Sequence, residues 1–138
     1  MMFETEQASS VRKEWSFFID KVLHEKPAFI KRRRDSIAAF SLEHLTTLLD
    51  GIKFQVDLTQ EKDETWTAML KDLDLTVNAS TKNEALNLLS QDLMDYANEY
   101  MDEFEAYYRS RNRKNHFPNI VKVLLQKDQK AVLDLLDA

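Results

Sequence analysis

The sequence predicts an α+β protein: an N-terminal helix, hairpin and helix, then a small antiparallel sheet, a long helix and short C-terminal helices. Three observations carry that expectation. Apolar residues recur at helical spacing over 11–24 and again from Ala85 to Tyr108. Residues 54–59 instead alternate apolar and polar, as a half-buried strand does. A single glycine, Gly51, separates the two regions.

The bulk properties narrow the class. With 138 residues, 43% apolar and 31% charged, the chain is long enough for one ordinary domain or two small ones. No run reaches the ~18 to 20 apolar residues of a membrane span, and Met1 to Glu6 lacks the order of a signal peptide. The absence of cysteine removes disulfides and thiolate chemistry. A cytoplasmic protein without a membrane partner is expected. Net charge is −5 but uneven: eight cations face three anions from Arg12 to Arg34, and eleven face sixteen from Gly51 onward.

In the first module, Val11, Trp15, Phe18 and Val22 share one face of a helix over 11–24, widened by Ile19 and Leu23. Ser9 or Ser10 is placed to cap it. Arg12 and Lys13 then fall in its first turn, where the helix dipole disfavours cations by ~0.3 to 1 kcal/mol. A phosphate at that helix end would reverse the sign. Pro27 ends the helical region, since the preceding residue avoids the helical basin. Two short apolar runs follow, about 28–33 and 36–41, joined by Lys31-Arg32-Arg33-Arg34-Asp35 as a hairpin. Four adjacent cations repel one another, so they mark either a solvated turn or an anion-binding tip, nucleic-acid phosphate being the commonest anion. Ser41 caps a short helix over 42–50, and Gly51 occupies the place of a left-handed terminator. The first module is placed at 1–50 and the second at 51–138.

In the second module, Phe54 to Thr59 and Thr65 to Leu70 form a hairpin across the polar turn Glu61-Lys62-Asp63-Glu64. A third extended segment lies within 72–78, with Leu73, Leu75 and Val77 on one face. Thr81-Lys82-Asn83-Glu84 has capping-box spacing and opens a helix running to about Arg109. Its distal half carries Tyr96, Tyr100, Phe104, Tyr107 and Tyr108, backed by an acidic face. Such a stripe is either core or a partner surface, tyrosine being favoured at interfaces. A helix this long outruns a small core, so its last turns need cover from the C-terminus or from another chain. The cations from Arg109 to Lys114 neutralise the acidic helix and its C-terminal dipole, or meet RNA or an acidic partner. Pro118 suits the first turn of a helix over 119–126, and Asp128 caps a last one.

Two stretches resemble known families. Ser10-Val11-Arg12-Lys13-Glu14-Trp15, Phe18 to Val22, Lys26 to Arg32 and Ile37 to Leu45 resemble the Phd/YefM-like (prevent-host-death) antitoxin domain. That resemblance implies a homodimer that binds operator DNA through the first helix start and the basic hairpin: Ser9, Ser10, Arg12 and Lys13 with Lys31, Arg32, Arg33 and Arg34. The family usually has a glycine in the hairpin turn; here it reads Arg33-Arg34-Asp35-Ser36. Leu89 to Tyr100 and Arg111 to Pro118 are similar to antitoxins that partner RelE-type toxins, with a HicB-like core. This second resemblance implies a toxin partner, with Tyr96, Tyr100, Phe104, Tyr107, Tyr108, Arg111, Arg113, His116 and Phe117 as toxin-binding candidates.

An enzyme is not expected. His24, His44 and His116 lack ligand spacing, one glycine provides no phosphate-cradling loop, and Asp57, Asp72 and Asp74 read as solvated strand-end acids. No catalytic residue, metal or cofactor is assigned. The sequence therefore points to an antitoxin that neutralises a RelE-like toxin and represses its own operon. The alternative is a protein–protein adaptor that never touches nucleic acid.

Overall fold

The computed structural model describes residues 2–138 and is mixed α and β, with two small sheets. It divides into two compact units, residues 1–50 and 51–138.

The first unit opens with strand β1 (Glu6–Gln7), helix α1 (Ala8–Lys13) and helix α2 (Trp15–His24). The hairpin β2 (Ala28–Arg32) and β3 (Asp35–Ala39) follows, then α3 (Leu42–Leu48). The expected single helix over 11–24 is thus two helices, broken at Glu14, whose backbone leaves the helical basin at φ −117°, ψ 45°. The break swings Trp15 out of the apolar stripe: Val11, Phe18 and Val22 stay buried while Trp15 is 57% exposed. The helix also begins at Ala8, so Ser9 and Ser10 lie inside it, and Gln7, which makes no side-chain cap, precedes it. Arg12 and Lys13 consequently sit in the last turn of α1, where the dipole favours cations. The expected electrostatic conflict is absent.

Strand β1 runs parallel to β2, Glu6 opposite Ile30 and Gln7 opposite Lys31. Two residues carry no periodicity, which is why the pattern of the sequence does not show this strand. β2 and β3 pair antiparallel from Ala28–Ala39 to Arg32–Asp35, leaving Arg33 and Arg34 as a two-residue turn. Arg33 takes the left-handed conformation, φ 57°, where glycine would be unstrained. The core is small: Val11, Phe18, Val22 and Ala28, edged by Ile19, Ile30 and Ala39. Ser41 caps α3 by accepting from the His44 amide at 3.1 Å. Gly51 has no positive φ, so α3 does not end on the expected left-handed glycine.

The second unit is a four-stranded sheet in the order β6-β5-β4-β7. Its strands are β4 (Phe54–Gln60), β5 (Trp66–Leu70), β6 (Leu75–Ala79) and the two-residue β7 (Leu136–Asp137), which lies parallel to β4. A 3₁₀ turn, Lys71–Leu73, joins β5 to β6, and Asp74 leaves it at φ 54°, a conformation aspartate tolerates. Leu73 is therefore a buried turn residue and not part of the strand. Phe54, Val56, Ala68 and Leu70 point into the core, while Asp57 and Thr59 on β4 and Thr76 and Asn78 on β6 are exposed.

Helix α4 (Lys82–Asp102) covers the inner face, burying Ala85, Leu89, Leu93, Tyr96, Ala97 and Tyr100 at spacings of three and four. Thr81 caps it, its hydroxyl accepting from the Glu84 amide at 3.2 Å. The helix stops at Asp102, and a separate α5 (Phe104–Arg109) begins after Glu103. In a continuous helix Tyr107 would stand roughly 16 Å along the axis from Tyr96, at ~1.5 Å per residue. Their ring centroids are 6.0 Å apart, so the chain turns back at Glu103. The expected helix to Arg109 is thereby corrected. α6 (Phe117–Leu124) and α7 (Gln129–Leu135) complete the core through Ile120, Val123 and Val132. Asp128 caps α7, accepting from the Ala131 amide at 2.8 Å.

Candidate nucleic-acid and partner interfaces

In the first unit, the β1–β2 pairing sets the entrance of α1 beside the hairpin tip. Because Gln7 lies opposite Lys31, the next residues, Ala8 and Ser9, emerge next to Arg32 and Arg33. The result is a concavity of about 480 Å³ lined by Gln7, Ala8, Ser9, Arg12, Lys31, Arg32 and Arg33. Among the described residues, no carboxylate lines it. Five of the eight residues expected at a DNA face are gathered there: Ser9, Arg12, Lys31, Arg32 and Arg33. Ser10 and Arg34 are not in its wall, and Lys13 lines a different surface with Trp15 and Phe17. All eight side chains are exposed. Four exposed cations around an open hollow give this face a local positive charge that the acidic chain as a whole lacks.

In the second unit, the residues expected to meet a toxin make an aromatic cluster built on the turn at Glu103. Tyr107 stacks on Tyr100 at 5.3 Å, Phe104 on Tyr108 at 5.1 Å, and Phe117 meets Phe104 edge-on at 5.2 Å. Tyr96 and Tyr100 are buried, at 8% and 0% exposure, and serve as core. Phe104, Tyr107, Tyr108 and Phe117 are half-buried and reach the surface. His116, 4% exposed, places Nδ1 2.7 Å from the Tyr96 hydroxyl. The Tyr100 hydroxyl donates to the Arg113 carbonyl at 2.8 Å.

Of the cations from Arg109 to Lys114, Arg109 lies in the last turn of α5 and pairs with Glu105 at 3.2 Å, while Arg113 and Lys114 turn to aromatic rings. The Arg113 guanidinium lies over Tyr107 at 4.8 Å and Tyr96 at 5.5 Å, and the Lys114 ammonium over Tyr108 at 5.2 Å. Each cation is held by the negative face of a ring. Arg111 is exposed on the intervening loop. Burial pushes the Tyr96 and Tyr100 phenols up and lowers the His116 imidazole, so the buried groups are held neutral. The Glu99 carboxylate raises the Tyr107 phenol. A second, acidic hollow of about 530 Å³ opens between Leu73–Leu75 and α4. Sequence reasoning misses it, because its carboxylates come from segments some twenty residues apart.

Comparison with known proteins places the chain in a class and then in a family. It is an antitoxin of a toxin–antitoxin system. Residues 2–138 match the family model for PHD-like antitoxins, described as the antitoxin of a RelE/RelB toxin–antitoxin system, and the chain belongs to that family. It is similar to a crystal structure from Syntrophomonas wolfei subsp. wolfei, described as the antitoxin part of a candidate toxin/antitoxin system. The TM-score is 0.93 and the identity 33%, covering 99% of this chain and 98% of that one. No curated protein matches the chain. Among the described residues, no helix is long and apolar enough to cross a membrane.

Proposed function

We propose that this cytoplasmic antitoxin binds two macromolecules with its two units. The first unit acts as a Phd/YefM-like module that dimerises and binds operator DNA, and the second as a HicB-like module that holds a RelE-like toxin. Autoregulation of the operon follows from the two activities residing in one chain.

The observation that carries the DNA reading is the carboxylate-free concavity joining Arg12 to Lys31, Arg32 and Arg33 across the β1–β2 pairing. Nothing in folding the unit requires four consecutive cations at a tip, whereas phosphates make them favourable. Dimerisation is supported by the apolar side chains the small unit leaves outside, among them Trp15, Phe17, Ile37 and Leu42, each more than half exposed. The toxin reading is supported by the half-buried Phe104, Tyr107, Tyr108 and Phe117 and by the adjacent Arg111 and Arg113.

The DNA reading is tested by measuring affinity for the chain's own promoter between about 50 and 200 mM salt. Affinity is expected to fall steeply, and replacing Arg32, Arg33 and Arg34 with alanine to flatten the slope by about 0.9 for each phosphate no longer neutralised. Arg12→Ala is expected to weaken binding more than Lys13→Ala, because only Arg12 lines the hollow. No binding by the wild-type chain at the lowest salt leaves the adaptor reading in its place.

A further inference from the structure

We propose that the open edge of β6, with the acidic hollow at its start, seats an extended basic segment of the toxin. This rests on the reading that the chain captures a toxin, and it adds a second contact chemistry to the aromatic surface.

Among the described residues, β6 has one sheet neighbour, β5, and their register runs unbroken through five residue pairs from Leu70–Leu75 to Trp66–Ala79. Its far side therefore presents a regular row of backbone donors and acceptors without a strand to pair with. Edge strands are ordinarily blunted by lysine, proline or a bulge. Leu75-Thr76-Val77-Asn78-Ala79 has none of these. The opposite edge of the sheet differs, since β7 already occupies the start of β4. An unblunted five-residue edge is a template for one added strand, whose main chain supplies affinity without regard to sequence.

Charge selects the occupant. The hollow of about 530 Å³ at the start of β6 is lined by Leu75 together with Asp74, Asp92, Asp95 and Glu99. Four carboxylates meet one guanidinium, that of Arg113, which is already stacked on Tyr96 and Tyr107. Side chains of an added strand alternate between the two faces of the sheet, and those on the α4 side enter the hollow. A lysine or arginine there meets opposite charge, whereas an acidic residue is repelled, so the hollow fixes both the sign and the register of the incoming strand.

The probe is the toxin encoded beside this chain's gene, co-expressed and purified with the full chain. Hydrogen exchange of the complex against the free antitoxin is expected to slow amides of Leu75–Ala79 at least about tenfold. Asp92→Lys with Asp95→Lys, both exposed on α4, is expected to weaken toxin binding roughly tenfold at low salt and less at high salt. Asp134→Lys with Glu61→Lys makes the same charge change elsewhere and is expected to leave affinity within about twofold. Thermal melts confirm that each variant folds. If the wild-type chain captures toxin while β6 exchange is unchanged, or both pairs of reversals act alike, the proposal is overturned and the antitoxin reading stands. Protection of β6 in the free chain at high concentration would assign the edge to a second copy and likewise overturn it. A wild-type chain that captures no toxin removes both.

Discussion

The Tyr96 hydroxyl and the His116 Nδ1 atom lie 2.7 Å apart, and neither residue is more than 8% exposed. In the neutral tautomer that carries its proton on Nε2, Nδ1 accepts a hydrogen bond from the Tyr96 hydroxyl, which satisfies both buried atoms. Protonating the ring would place a cation in a site that burial already disfavours. Asp74 and Asp72 face it with favourable charge and Arg113 with unfavourable charge.

This pair makes the second unit acid-sensitive. Burial lowers the His116 pKa below its ordinary value of 6.5, so the unfolded chain binds the proton first as pH falls. The stabilisation is complete above pH ~6.5 and is lost as pH drops below it toward the depressed folded value. All four tyrosines of the chain lie in this cluster, so near-ultraviolet circular dichroism in the tyrosine band reports on it. The melting temperature is expected to fall between about pH 7 and 5, and His116→Gln to flatten that dependence while lowering stability by ~1 to 3 kcal/mol. An unchanged pH slope in His116→Gln would show that other groups carry the acid response.

Tyr100 tests the turn at Glu103. Its ring is wholly buried, and its hydroxyl is bound to the Arg113 carbonyl across thirteen residues. Tyr100→Phe keeps the packing and is expected to cost about 1 kcal/mol. Tyr100→Ala leaves a cavity beneath Tyr107 and Phe117 and is expected to cost about 3 to 5 kcal/mol. If the buried Tyr100 ring contributed no packing, the two variants would melt together. The separation between them measures how far the ring, rather than the hydrogen bond, holds the folded-back segment.

How far the fold was legible in the sequence differs by element. Helix caps at Ser41, Thr81 and Asp128 were readable, because a hydroxyl or carboxylate before an apolar-periodic run has one physical use. So was the β4–β5 hairpin, from its period of two and its polar turn. The breaks at Glu14 and Glu103 were not, because helical spacing continues through both and neither carries glycine or proline. Tertiary packing overrode a locally consistent pattern, and with it moved Arg12 and Lys13 from a helix start to a helix end. The basic tetrad was visible as a charge run, and its grouping with Ser9 and Arg12 came from the family resemblance alone, since the two-residue strand β1 that joins them is too short to register as a pattern. The acidic hollow beside β6 joins Asp74 to Asp92, Asp95 and Glu99, a grouping created by the α4–β6 packing alone.

Arg33 separates geometry from charge at the hairpin tip. Its left-handed backbone, φ 57°, costs a side-chain-bearing residue about 1 to 2 kcal/mol relative to glycine. Glycine in turn costs ~0.4 to 1 kcal/mol through the greater freedom of the unfolded chain. Arg33→Gly should therefore stabilise the first unit by roughly 0.5 to 1 kcal/mol net, the strain relieved exceeding the entropy lost. The same substitution removes one cation from the hollow and should lower the salt slope of DNA binding by about 0.9. Arg34→Ala, with no left-handed backbone to relieve and outside the hollow's wall, should leave stability within about 0.5 kcal/mol and affect DNA binding less. Greater stability with weaker DNA binding in Arg33→Gly would show that the arginine is kept at a strained position for its charge. Weaker stability, or unchanged binding, would sink that account.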